Sequence, residues 1–124
     1  MQTTRPVFLD LWRIKLPIPG VVSILHRISG VLMVLAIPLA AIFFHQALSG
    51  PAGFEQVAGI LDFWPVKLIL LVLAWSLLHH LFAGIRYLLL DLGLGLDRPA
   101  ARRSSWAALI AAIVVLVIGG GLAL

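Results

Sequence analysis

The chain has 124 residues, 62% of them hydrophobic and 11% charged, with a formal net charge of +4 and no cysteine. That is too apolar for one small soluble core, so lipid must be the solvent for much of it. Without cysteine the chain offers neither a disulfide nor thiolate ligands for an iron–sulfur cluster. Its basic residues flank apolar runs, so membrane topology explains the charge and a nucleic-acid partner is not expected.

Residues 1–21 form an N-terminal arm, RPVFLDLWRIKLPIPG and its flanks, in which Pro6, Pro17, Pro19 and Gly20 oppose a regular helix. Met1 lies so close to the first motif that a mitochondrial transit peptide is not expected, which points to a bacterial chain. Three apolar runs follow, Gly30 to Leu48, Val66 to Leu90 and Trp106 to Leu124. At about 1.5 Å per residue, each is long enough to cross a bilayer core of about 30 Å as a helix. They lack the alternation of barrel strands. The expected fold is therefore an all-α membrane protein, residues 22–124, with three transmembrane helices over about 22–49, 64–92 and 104–124.

Pro38 interrupts the first span, where it removes one backbone hydrogen bond. Between the first two spans, Ser49 to Asp62 reads as a loop that carries Glu55 and Asp62 and no basic residue. Pro65 suits the first turn of the second helix, and Gly93 and Gly95 end it. The stretch DRPAARRSS then reads as a polar connection into the third helix, where Ala107, Ala108, Ala111 and Ala112 permit close packing. Arg5, Arg13, Lys15 and Arg27 precede the first span, and Arg98, Arg102 and Arg103 occupy the second connection. The positive-inside rule thus places the N-terminus in the cytoplasm.

Chemistry concentrates in SLLHHLFAGIRYLLLD. A charged or ionisable group near the centre of a span costs about 2.5–3.5 kcal/mol on insertion scales, so such residues usually face protein, a cofactor or water. At about 100° per residue, Ser76, His80, Gly84, Tyr87 and Asp91 share one face, and Trp75, His79 and Arg86 lie on a second. A histidine followed one turn later by glycine suits the approach of a flat group such as haem, for which one histidine is half of a bis-histidine ligand set. Counting residues puts His45 about 15 Å too far along the first helix to be the other ligand of His80, and His26 too near the cytoplasmic edge. A second chain is then required. Polar cross-linking between helices is the competing reading for His79 and His80, and snorkelling to headgroups for Arg86. On the first helix, Ser23, His26, Arg27 and Gly30 share a face at i, i+3, i+4 and i+7. There the serine can cap and the arginine can act as a positive-inside flank.

RPVFLDL, SILHRISG and HHLFAGIRYLLLDLG together resemble the three-helix cytochrome b anchor subunits of succinate dehydrogenase. The family pattern runs Arg-Pro, then S-x-x-H-R-x-[ST]-G, then H-x-x-x-G-[IV]-R-[HY]-x-x-x-D, and the match covers most of the chain. The resemblance implies a heterodimeric anchor bundle in which His80 is an axial ligand of the haem b iron. A second hydrophobic anchor subunit would supply the other ligand. It further implies that His26 and Arg27 meet the haem propionates, that Gly84 lets the haem approach, and that Ser23 and Arg27 line the ubiquinone site. FAD and iron–sulfur clusters would belong to flavoprotein and iron–sulfur partner subunits docked at a bacterial inner membrane. Tyr87 stands where many members carry histidine. The rivals are a fumarate reductase anchor, which shares the architecture, and a haem-free structural or transport bundle.

Overall fold

The computed structural model describes residues 15–123, so most of the N-terminal arm, with Arg5, Pro6 and Arg13, lies outside the described residues. Among the described residues four helices follow one another: α1 (Ile18–Ala47), α2 (Pro51–Asp62), α3 (Trp64–Asp91) and α4 (Arg98–Ala123). Three of these, α1, α3 and α4, are long and apolar enough to cross a membrane. No strand occurs among the described residues. The 30 residues of α1 extend about 45 Å, well beyond a hydrocarbon core, so its ends project past the apolar slab.

Helix α1 begins four residues earlier than its apolar pattern suggests. Pro17 is extended at the N-cap and Pro19 falls within the first turn, where backbone N–H groups lack intrahelical partners and a proline costs nothing. The stretch read as a connecting loop is also helical. After α1, Leu48 N–H and Ser49 N–H return to the Phe44 and Gln46 carbonyls, and Gly50 at φ 138° turns the chain into α2. Pro51 opens that helix. A Cβ on Gly53 would collide with the Gln46 carbonyl oxygen and Ser49 Oγ, so glycine is what lets α2 fold back onto the end of α1. At the far end of α2, Lys67 Nζ lies 2.6 Å from Asp62 Oδ1. The ammonium and its hydrogen bond hold that exposed carboxyl below the usual carboxylate range.

Helix α3 closes with a Schellman pattern. Leu94 N–H reaches the Leu89 carbonyl and Gly93 N–H the Leu90 carbonyl, with Gly93 at φ 81°. Helix α4 then starts at Arg98, about 9 Å ahead of its expected beginning. Asp97 accepts Ala101 N–H at its backbone carbonyl, 2.9 Å, and Pro99 occupies the first turn. The basic stretch thus forms the first turns of a helix and is not a linker.

Helix α3 is central, packed on α1 along one side and α4 along the other, while α2 caps the end opposite the basic one. The interior is built from small and polar side chains: Val22, Ser29, Ser76, His79, Ala83, Arg86, Ser105, Ala108 and Ala112 are buried. Large aliphatic residues point outward, Val34 at 66% exposure and Ile37 at 65% among them. Small residues allow close backbone approach, and the apolar exterior needs lipid or another apolar chain around it.

Candidate functional site

Three side chains from α1 and α3 meet near the basic end, beside a glycine. The His26 and His80 rings stack with centroids 4.0 Å apart and planes 13° from parallel. Tyr87 meets His26 edge to face at 5.1 Å. Gly84 faces open space beside them, where a Cβ would meet only His26 Nε2, at an ordinary contact distance of 3.8 Å. The α3 face that periodicity assigns to His80, Gly84 and Tyr87 therefore converges on one residue of α1. His26 and His80 lie at the same level, so shallowness is not what keeps His26 from being the axial partner of His80. Counting from Val22 ignored the extra turn of α1, about 6 Å at four residues.

His80 Nδ1 lies 3.0 Å from the His26 carbonyl oxygen. A carbonyl only accepts, so Nδ1 carries a proton, and in the neutral ring the lone pair is then on Nε2. Ser29, which the periodicity argument overlooked, completes this arrangement. Its hydroxyl donates to the same carbonyl at 2.8 Å, and its oxygen sits 3.1 Å from His80 Nδ1. The signal that could have found it is the [ST] position of the first-helix motif, one residue before the glycine. Tyr87 Oη is buried and has no hydrogen-bond partner among the described residues.

The second face of α3 behaves differently. His79 is wholly enclosed, at 0% exposure, stacked on Trp75 at 5.1 Å. Both of its nitrogens and Ser76 Oγ lack partners among the described residues. Arg86 does not snorkel: it is 6% exposed, its Nε donates to Ser104 Oγ at 2.9 Å and an Nη to the Ala101 carbonyl at 3.3 Å. It thereby ties α3 to α4 beside a cleft of about 350 Å³ lined by Phe82, Leu89 and Ala111. Asp91 ends α3 and is exposed, away from the histidine cluster.

Ser23 is half-buried one turn before His26, and Arg27 is exposed on the flank of α1. His45 is exposed at the α2 end, remote from His80. No cluster of three or more His, Cys, Asp or Glu suited to a bare metal ion occurs among the described residues.

The architecture and this site define a multi-pass helical membrane protein with a histidine cluster wedged between two of its spans. The family model for the succinate dehydrogenase/fumarate reductase transmembrane subunit matches residues 1–119. The chain is 34% identical over 122 residues to the succinate dehydrogenase cytochrome b556 subunit of Coxiella burnetii, covering 97% of each chain. It is 36% identical over 114 residues to the protein of that name in Paracoccus denitrificans, covering 92% of this chain and 87% of the relative. The mitochondrial succinate dehydrogenase cytochrome b560 subunit of Mus musculus is 32% identical over 125 residues, with 70% of that relative covered. The chain belongs to the succinate dehydrogenase cytochrome b family of membrane-anchor subunits.

Proposed function

We propose that this chain is the haem-bearing anchor of a bacterial succinate dehydrogenase, with His80 Nε2 as one axial ligand of haem b. The observation that carries the reading is the 3.0 Å approach of His80 Nδ1 to the His26 carbonyl oxygen. The Nδ1–H is committed to that carbonyl, the arrangement typical of metal-bound histidine, in which the second ring nitrogen is anchored to a backbone carbonyl. The residues present fit the group. Gly84 keeps the neighbouring surface clear, and the unpaired Tyr87 hydroxyl is a donor without an acceptor. His80 is favoured over His79 because a haem shared between two subunits needs a ligand at the surface between them. His80 is only partly covered, whereas His79 is enclosed.

The other axial ligand comes from a second hydrophobic anchor subunit. Stacked rings have their lone pairs in near-parallel planes, so His26 and His80 do not converge on one iron. Rapid one-electron storage is the chemistry that haem b supplies when bound. The chain's own residues do the rest. His26 and Arg27, with the Tyr87 hydroxyl, offer donors for propionate carboxylates. The Ser23 hydroxyl donates to a ubiquinone carbonyl, and the Arg27 guanidinium balances negative charge as the quinone is reduced. Succinate is oxidised on the flavoprotein subunit, and electrons arrive through the iron–sulfur subunit, both docked on the cytoplasmic face of the inner membrane. The basic ends of α1 and α4 support that orientation. The names of the relatives favour succinate oxidation over fumarate reduction as the physiological direction.

A reduced-minus-oxidised visible spectrum of the detergent-purified complex tests the ligand. The wild type shows a b-type signal that His80→Ala abolishes and His79→Ala retains; a normal signal in His80→Ala refutes the assignment. Arg27→Leu lowers quinone reduction at least tenfold more than it lowers succinate oxidation by a soluble dye. Equal loss in both assays would mean that Arg27 serves assembly instead.

A further inference from the structure

We infer that Ser29 is a positioning residue for His80: its hydroxyl and the His26 carbonyl together hold the Nδ1–H, setting the ring's plane and its basicity toward the haem iron. The inference rests on His80 being an axial ligand. Ser29 is completely buried in the seam between α1 and α3. A helical serine commonly satisfies itself by donating to a carbonyl of the preceding turn, and Ser29 does so at the His26 carbonyl, 2.8 Å away. That leaves its oxygen lone pairs free, and His80 Nδ1 lies 3.1 Å from them. The ring N–H is therefore shared between two acceptors that are themselves hydrogen-bonded to each other. Turning the ring about its Cβ–Cγ bond loses one or both.

The next residue shows that this turn of α1 is shaped around the ring. A Cβ on Gly30 would come within 3.1 Å of His80 Cε1, so glycine leaves the clearance that lets the imidazole reach Ser29. One turn of α1 thus supplies both acceptors and the gap. Acceptors on the far nitrogen raise the basicity of the ligating one, which favours ferric over ferrous iron. Losing the serine oxygen weakens that effect and moves the potential upward.

The test uses the whole detergent-purified complex and two substitutions, Ser29→Ala without a hydroxyl and Ser29→Thr with one. The haem midpoint potential and the low-spin electron paramagnetic resonance signal are read alongside haem content. Ser29→Ala is expected to shift the potential to more positive values and to broaden or displace the low-spin signal, while Ser29→Thr stays with the wild type. Loss of haem in the alanine variant that threonine restores supports the inference equally. It is overturned by a wild-type potential and spectrum in Ser29→Ala, or by equal changes in both variants, which would show that only packing at this position matters. Retention of haem in His80→Ala would instead remove the ligand assignment beneath it.

Discussion

The two sides of α3 carry similar residues and use them oppositely. Toward α4, Arg86 is closed off by Ser104 and the Ala101 carbonyl, and the surrounding Ser105, Ala108 and Ala112 are buried. Toward α1, His80 is anchored through only one of its nitrogens, and Tyr87 keeps a buried hydroxyl without a partner. A buried polar group that is satisfied holds helices together, whereas a half-satisfied one on a partly covered surface is open to a ligand. Burial by itself does not separate the two roles. His79 is fully enclosed and stands outside both arrangements.

Substitutions on the two sides should therefore fail in different ways. The largest effect belongs to Arg86→Ala, which removes two charge-assisted hydrogen bonds and enlarges the neighbouring cleft. About 2–4 kcal/mol of stability is expected to go, seen as a lower thermal midpoint of the purified complex, with the haem spectrum of the surviving fraction unchanged. A spectral change of the kind expected from the α1 side would break the distinction. Gly30→Ala is the complementary case. It improves helix propensity by about 0.5–1 kcal/mol but pushes on His80, so the haem signal should move while thermal stability changes little. An unaltered spectrum would show that the ring has room to yield. The smallest effect is expected for Asp62→Asn at the far end. Asp62 and Lys67 are both exposed, and such pairs contribute little. Because the folded carboxyl is held below its ordinary range, whatever stability it contributes is present above that range. It is lost as pH falls through the lowered value, so acid should narrow the small gap between variant and wild type.

Much of the candidate site was legible in the residues themselves. The spacing of His80, Gly84 and Tyr87 placed them on one face, and the motif around Ser23, His26 and Arg27 marked the matching turn of the first helix. Helix ends were read less well. Proline at Pro19, Pro51 and Pro99 resembles a breaker in sequence, yet each falls in a first turn where its missing N–H has no carbonyl to serve. The Ser49 to Asp62 segment looked like a loop because it is short and mixed in polarity, and it is helical because α1 and α3 give its apolar side a surface. Snorkelling stayed open for Arg86 because nothing in the sequence links it to Ser104, eighteen positions away.

Sequence alone determined that this protein lives in a membrane with three spans, which end is basic, and which face of the second span carries the histidine and glycine. Those properties follow from local hydrophobicity, charge and the fixed angle between successive helical residues. Tertiary structure decided the depth at which His26 meets His80, the anchoring of His80 through Nδ1, the contact made by Ser29 and the burial of Arg86. Each depends on how far one helix slides along another, and that offset is set by small side chains letting backbones approach, which no single helix contains.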